Sequence, residues 1–323
     1  MYPWEIMKKI VKSISILLLC VVFSGIKVCA QDLDPRAYAR VPINGTLFIS
    51  GFAYSQGGVL TDPTLPLEDL NAKVEVTSLG VGRTFGLFGK TAQAMAILPY
   101  GWIQANALIN GEYQSTTRAG LADMRFRLSV LLLGGKAATL GEFSKNRSRT
   151  VIGTSLYLIA PTGQYFSDKL VNIGAERWSV KPEVAFSQLL GQRWMLDLYS
   201  GVWFFTTNHS FYPGNSVRTQ DPLVAFQAHL CYNFNPRMWV AFNSTYYAGG
   251  QSSRNGTYKD DRQSNTRFGA TMAIPVGKRN SLKFAYSKGV VIRMGANFST
   301  FTVGWSTIWF GKPKASEQQK LKP

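Results

Sequence analysis

Two histidines, His209 and His229, are the side chains best suited to acid–base chemistry in this 323-residue sequence. A serine hydrolase needs a histidine beside its serine nucleophile and a third group that orients the imidazole. His229 shares one face of an alternating segment with Gln227 and Asn233, and His209 stands in a polar loop. Neither setting predicts a triad. A lipid hydrolase is therefore the least supported function, and no catalytic residue is predicted.

Metal binding has little support, because a metal site needs several cysteine, histidine or carboxylate ligands at close spacing. The sequence has three cysteines, and two of them, Cys20 and Cys29, belong to an N-terminal apolar segment. The remaining Cys231 cannot form an intrachain disulfide alone. Asp260 and Asp261 are adjacent but have no histidine beside them. No metal and no cofactor is predicted.

A set of charged and polar residues recurs at alternate positions, on what we interpret as the inner face of a barrel. The set consists of Arg125, Arg127, Lys181, Glu183, Asp197, His229, Arg267 and Lys283. Charges of both signs in a low-dielectric interior can form ion pairs that brace the wall. Alternatively, a basic constriction can select anionic solutes such as aromatic carboxylates. The set holds five positive and two negative charges, which favours a net positive potential, and both interpretations remain open.

The elements that position these residues are twelve segments with the apolar–polar alternation of β-strands, separated by Gly, Pro, Asn, Asp and Ser. They cover residues 46–55, 71–83, 91–103, 119–132, 150–160, 177–187, 193–206, 222–234, 237–248, 264–274, 280–289 and 299–310. With an even number of strands, the N-terminal and C-terminal ends of the barrel chain both lie on the periplasmic side. The predicted fold is all-β: a transmembrane antiparallel up-and-down β-barrel of twelve strands.

Alternation alone does not distinguish a membrane barrel from a soluble sandwich, but aromatic residues toward the strand ends indicate interfacial girdles. They are Tyr100, Trp102, Trp178, Trp194, Trp239, Tyr246, Tyr247, Trp305 and Trp309. Long links alternate with short ones, as extracellular loops alternate with periplasmic turns. The long links are 56–70, 104–118, 161–176, 207–221 and 249–263, and the short ones are 84–90, 188–192, 235–236 and 275–279. Link 133–149 is a long exception, in which 137–143 can form a short helix.

The N-terminus predicts export. Lys8, Lys9 and Lys12 precede the apolar run 14–23, and small residues up to Ala30 predict cleavage before Gln31. Met7 is an alternative start, and lipid attachment at Cys20 is disfavoured by the bulk of Leu19. The predicted organisation is a signal peptide (1–30), a periplasmic N-terminal segment (31–45), the transmembrane barrel (46–310) and a disordered polar tail (311–323).

The net charge of +17 would ordinarily suggest nucleic acid as a partner. Here the basic residues are dispersed and the export signal argues against a cytoplasmic target, so no nucleic acid is expected. Expected partners are outer-membrane lipid and lipopolysaccharide, a small-molecule solute, and the barrel-assembly machinery. The aromatic last strand, which ends at Phe310, is similar to an assembly signal.

Several segments, in the same order, resemble the outer-membrane transporter-like family labelled "putative MetA-pathway of phenol degradation". They are residues 34–38, 57–60, 98–100, 120–125, 160–165, 169–174, 177–183, 220–222 and 246–250. The resemblance covers almost the whole mature chain and implies an outer-membrane barrel that transports aromatic or other hydrophobic compounds. It supplies no catalytic residues. The tail after Phe310 departs from the family pattern.

The predicted function is a narrow uptake channel for small, aromatic or anionic solutes in the bacterial outer membrane, and not an enzyme. Twelve strands lie between filled eight-stranded barrels and open sixteen-stranded porins, so a narrow or plugged lumen is expected. The alternative is a closed structural or surface-binding barrel without transport. The identity of the solute, the state of the lumen and the oligomeric state stay open.

Overall fold

The computed structural model describes residues 34–60, 67–109, 111–144 and 148–311, which form seventeen strands and one short helix. The strands of the main sheet are β1 (Gly45–Leu60), β2 (Leu67–Leu87), β3 (Lys90–Ile109), β4 (Glu112–Leu121), β5 (Arg125–Leu133), β6 (Thr150–Ile159), β7 (Ser179–Leu190), β8 (Trp194–Phe205), β11 (Leu223–Asn233), β12 (Trp239–Gly249), β15 (Gln263–Val276), β16 (Asn280–Ile292) and β17 (Gly295–Phe310). A second, smaller sheet contains β9 (Asn208–Phe211), β10 (Ser216–Gln220), β13 (Ser252–Arg254) and β14 (Thr257–Tyr258). The helix, α1, is Leu140–Phe143.

The main sheet closes on itself as an antiparallel barrel. β1 pairs with β17 along its whole length, from Gly45 opposite Phe310 to Leu60 opposite Gly295. β4 and β5 both pair with β3, β4 along 100–109 and β5 along 92–97, so together they make one interrupted crossing. The thirteen strands therefore make twelve crossings, which confirms the predicted fold. Among the described residues, no α-helix has the length and hydrophobicity of a membrane-spanning helix.

Both chain termini of the barrel lie at one end, where β1 begins and β17 ends, and the turns 88–89, 191–193, 234–238 and 277–279 lie at the same end with the longer link 134–149. In the turn between β2 and β3, Phe88 and Gly89 have φ angles of 48° and 73°. Positive φ at both central residues is the geometry of a type I′ hairpin, whose twist matches that of the strands. The longer connections, 160–178, 206–222 and 250–262, lie at the opposite, extracellular end.

Two of the predicted long loops are wrong. Residues 56–70 and 104–118 were expected outside the strands, but β1 reaches Leu60, β2 begins at Leu67, and β3 and β4 are joined by two residues. The polar and glycine-rich composition of these stretches suggested turns. Continuous backbone pairing of β1 with β17 and of β3 with β4 keeps them extended instead. Link 133–149 is long, and α1 lies within it as expected.

Side chains alternate between the lipid-facing wall and the interior. In β11, Leu223, Gln227 and His229 are buried, whereas Phe226 and Leu230 are 50% and 41% exposed. A barrel in lipid shows this arrangement, with apolar residues outside and polar ones inside. Of the predicted girdle, Trp102, Trp178, Trp194, Tyr100, Tyr246 and Trp309 are exposed on the outer wall. Trp239 and Tyr247 are corrections, because both are buried on inward-facing positions.

Residues 34–44 belong to the predicted periplasmic N-terminal segment (31–45), and in the structure they contact inward-facing side chains of several strands. The barrel begins at Gly45, one residue before the predicted boundary. The predicted signal peptide lies outside the described residues, as does the predicted tail beyond Gly311.

The break between β4 and β5 is the docking point of loop 160–178. The Asp123 carboxylate accepts hydrogen bonds from the backbone N–H groups of Gly163 (2.8 Å) and Ala175 (2.9 Å). A Cβ at Gly163 would lie 2.7 Å from the backbone nitrogen of Asp123, so only glycine permits this approach. One carboxylate therefore ties both ends of a long loop to the barrel wall.

Replacing Asp123 with alanine should release this loop without opening the barrel. Each hydrogen bond to a charged group contributes about 1.5–3 kcal/mol, so Asp123→Ala should speed tryptic cleavage after Lys169 at least tenfold. The control is Glu176→Ala, which removes an exposed carboxylate of the same loop away from the cleavage site at Lys169. Equal cleavage rates in both variants, measured by mass spectrometry of folded protein in detergent, would contradict this account.

Candidate functional site

A cavity of about 550 Å³ occupies the lumen. Its polar lining includes Ser78, Arg125, Arg127, Glu183, Gln227, Thr271, Lys283, Ser287 and Thr300, and its aromatic lining includes Tyr157, Tyr199, Trp203, Phe205 and Tyr247. Asp34 and Ala37 also line it. The N-terminal segment 34–44 is thus part of the lumen surface, and we call it the plug.

The first anchor of the plug is an ion pair. The Lys283 ammonium on β16 donates a 2.8 Å hydrogen bond to the Asp34 carboxylate, and both side chains are about half exposed (45% and 49%). Burial alone would raise the pKa of Asp34, but the positive charge of Lys283 lowers it below its usual value. Asp34 therefore stays ionised at neutral pH and holds the start of the plug to β16.

The second anchor is formed by strands two to four positions along the wall from β16. The backbone N–H of Arg36 donates to Asp197 on β8 (3.0 Å), and its guanidinium donates to Asn233 on β11 (3.0 Å). The same guanidinium lies 5.3 Å from the ring of Trp239 on β12. Burial lowers the pKa of Arg36, which remains positively charged because its usual value is far above neutrality.

Tyr38 is buried within the plug contacts, at 1% exposure. Its hydroxyl lies 2.6 Å from the Ser155 hydroxyl and donates to the Glu183 carboxylate at 2.9 Å. Its ring packs edge-on against Tyr199, with 5.1 Å between centroids, and the Arg127 guanidinium lies 4.6 Å from its centre. Burial and the negative charge of Glu183 raise the pKa of Tyr38 to about 12, so the phenol remains a hydrogen-bond donor.

The C-terminal part of the plug, residues 40–43, is held mainly by hydrogen bonds to its backbone. Ile43 donates to the carbonyl of Ala138, and the Thr84 hydroxyl donates to the carbonyl of Pro42. Arg40 lies 5.2 Å from the ring of Phe143 in α1. The long periplasmic link between β5 and β6 therefore supports this part of the plug.

Six of the eight predicted lumen residues surround the plug or its contacts. They are Arg127, Lys181, Glu183, Asp197, His229 and Lys283. Lys181 and Glu183 form a 2.7 Å ion pair with both side chains 2% exposed. The ammonium of Lys181 also lies 4.3 Å from the ring of Tyr157. A buried pair this well enclosed supports the bracing interpretation, since an unpaired charge there would be costly.

His229 belongs to a polar row and not to a triad. It stands opposite Asp197 on β8 and Asn243 on β12, and its Nδ1 lies 2.9 Å from the Asn243 side-chain oxygen. The Asn243 amide in turn donates to Thr271 (2.9 Å). The Nε2 atom of His229 has no hydrogen-bond partner among the described residues. His209 is exposed on β9, outside the barrel wall.

The remaining two predicted residues lie elsewhere. Arg267 is fully buried on β15, where its guanidinium donates to the Ser287 hydroxyl (3.2 Å) and to the carbonyl of Phe298 (3.3 Å). Arg125 is exposed and lines the cavity from β5. Both arginines add positive charge to the interior of the barrel.

The plug residues Asp34, Arg36 and Tyr38 were missed as site residues. Their sequence offered one signal, because the run 34–38 stands directly after the predicted cleavage region and carries two charges and an aromatic ring. A periplasmic segment without contacts to the barrel would not bury an aromatic ring such as that of Tyr38. No group of three or more histidine, cysteine or acidic side chains that could hold a metal ion occurs in the described parts of the chain.

The structure is similar to the COG4313 outer membrane channel from Pseudomonas putida F1, with a TM-score of 0.75, 20% identity, and coverage of 86% of this chain and 100% of that chain. The beta domain of the Bordetella autotransporter BrkA has a TM-score of 0.49 at 12% identity, covering 82% of this chain and 100% of that one. The CymD monoaromatic hydrocarbon channel has a TM-score of 0.43 at 7% identity, with 84% and 90% covered.

A search of curated protein sequences found no relative. Residues 51–293 match the family model described as "Putative MetA-pathway of phenol degradation". The match spans well over half of the chain and includes eleven of the twelve crossings wholly or in large part. The chain therefore belongs to the family with that description.

Proposed function

We propose that this protein is an uptake channel of the bacterial outer membrane for small aromatic carboxylates. The observation that carries the proposal is the lumen cavity of about 550 Å³, which is lined by basic and aromatic side chains and bounded by the plug. Cavities of roughly 300–1,000 Å³ suit small molecules, so a single-ring solute fits. The COG4313 channel gives a precedent for the fold.

The chemistry of the interior favours anionic aromatic solutes over cations. Inward-facing Arg125 and Arg127 stand on the same strand, and the ring of Tyr157 lies 5.0 Å from the Arg127 guanidinium. Guanidinium groups bind carboxylates in a planar, bidentate manner, and aromatic walls accept a solute ring. The bracing and the selecting interpretations thus apply to different residues: Lys181 and Glu183 form the ion pair that braces the wall, whereas Arg125 and Arg127 line the cavity beside Tyr157.

The plug has contacts that solute and water can replace. Its ion pair between Asp34 and Lys283 is half exposed, and exposed pairs contribute only about 0–1 kcal/mol. The buried hydroxyl of Tyr38 is the firmer anchor. We propose that the plug leaves the lumen, in whole or in part, when a solute passes.

The proposal includes the protein's location and partners. We propose export with cleavage near Ala30, insertion by the barrel-assembly machinery, and contact of the outer wall with lipid and lipopolysaccharide. We propose no enzymatic role, because His229 faces the lumen beside Asn243, where an outer-membrane phospholipid does not reach.

Uptake into proteoliposomes tests the channel directly. Wild-type protein should admit radiolabelled benzoate faster than protein-free liposomes, and faster than an equally sized barrel of unrelated function. The protein-dependent part of the uptake, which is the rate above that of protein-free liposomes, should be smaller for benzamide, which is similar in size but uncharged, because the basic lumen favours the anion. Absence of uptake of benzoate and of any other aromatic acid would contradict the proposal and favour a closed structural barrel.

Removing one oxygen atom from the plug should raise the open fraction. Tyr38→Phe keeps the ring packing but loses the bonds to Ser155 and Glu183, one of which is charged and contributes about 1.5–3 kcal/mol. The open fraction in planar bilayers should therefore rise at least tenfold. Tyr54→Phe is the matched control, because its hydroxyl bonds to Gln56 at an exposed position. Unchanged conductance of Tyr38→Phe would show that the plug does not gate the lumen.

A further inference from the structure

The second sheet, formed by the extracellular loops, places two arginines side by side. In the antiparallel pair β10–β13, Arg218 stands directly opposite Arg254. Residues directly opposite each other share a face of the sheet, and Gln220 lies on that face too, since alternate residues of one strand point the same way. Like charges directly opposite each other destabilise a sheet unless a ligand of opposite charge binds them.

A third arginine reaches this face from loop 160–178. The guanidinium of Arg177 donates a 2.6 Å hydrogen bond to the side-chain oxygen of Gln220, two residues from Arg218. It also lies 4.4 Å from the ring of Phe205 at the end of β8, and Phe205 lines the lumen cavity. Arg177, Arg218 and Arg254, which we call the arginine triad, therefore stand at the extracellular end of that cavity.

Aromatic and hydroxyl contacts hold the triad in place. The guanidinium of Arg218 lies 5.2 Å from the ring of Phe211, and Arg254 donates through Nε to the Ser216 hydroxyl (3.0 Å). Stacked and tethered arginines lose less conformational entropy when they bind a ligand than free ones do. The triad is preorganised.

The positive charge of the triad is not neutralised by an ion pair. No carboxylate lies within 4.0 Å of these three guanidinium groups in the described ranges, and Nη1 of Arg177 is buried there without a hydrogen-bond partner. The nearby Asp123 binds two backbone N–H groups, and Asp261 binds the N–H and hydroxyl of Ser252. Burial, followed by repulsion from Arg218, lowers the pKa of Arg177 to about 10.

We propose that the arginine triad binds the carboxylate of an aromatic acid at the outer mouth of the lumen, with the solute ring against Phe205. A carboxylate would complete the hydrogen bonds of Arg177 and relieve the repulsion between the three cations. This binding site rests on the proposed channel function for its purpose, but binding can be measured without transport.

The test is calorimetric titration of the full-length protein in detergent micelles with benzoate, benzamide and inorganic phosphate. Benzoate should bind to the wild type, and benzamide should bind at least tenfold more weakly, because it lacks the charge that the guanidinium groups recognise. Arg177→Gln should weaken benzoate binding about tenfold or more and leave benzamide binding unchanged. Arg254→Gln provides a second variant in case Arg177→Gln folds poorly, as judged by heat-modifiable gel mobility.

The matched control is Arg293→Gln, which removes one extracellular arginine that is already paired with Asp260 (2.6 Å). It should leave benzoate binding unchanged. Absence of benzoate binding, or equal losses in Arg177→Gln and Arg293→Gln, would overturn the proposal. Phosphate binding tighter than benzoate binding would also overturn it and assign the triad to a lipopolysaccharide phosphate.

The two proposals fail in different ways. Wild-type protein that binds benzoate through Arg177 but does not admit it to proteoliposomes supports the binding site and contradicts the channel. Protein that admits benzoate with equal binding affinity in wild type and Arg177→Gln supports the channel and contradicts this site.

Discussion

In a bilayer, backbone N–H and C=O groups have no water to bond, so a sheet that crosses it cannot have a free edge. The pairing of β1 with β17 over sixteen residues removes that edge, and the positions of the inward-facing side chains depend on it. Because the sheet closes, every second side chain points into one enclosed space. The positions of Lys181, Glu183 and His229 in the interior are consequences of this closure and of strand parity.

Closure also creates the problem that the plug solves. An enclosed lumen buries charges of both signs, and Asp197 and Glu183 are almost completely removed from solvent. The wall satisfies some of them, as Lys181 does for Glu183, but Asp197 and Glu183 also receive hydrogen bonds from Arg36 and Tyr38 of the plug. The N-terminal segment therefore completes the polar interior, and its departure would have to be compensated by water or solute.

The sequence predicted whatever depends on alternation: twelve crossings, the inward set of charged residues and the short periplasmic turns. It did not predict what depends on contacts between distant residues. Asp34 meets Lys283 across 249 positions, and the run 34–38 has no period that would reveal this. The strand extensions at 56–60 and 104–109 depend on backbone pairing with the neighbouring strands, which their own composition did not show. Trp239 is of a residue type that is common in girdles, but its position in the strand alternation points its side chain into the barrel.

The central claim is that the barrel conducts through a positively charged interior. The reversal potential of single channels in a tenfold potassium chloride gradient measures conduction and charge preference together. The described inward-facing residues and the plug have more basic than acidic groups. We therefore expect the reversal potential to be displaced toward the equilibrium potential of chloride. A displacement toward the potassium potential, or the absence of any conductance in wild-type and Tyr38→Phe protein, would contradict it.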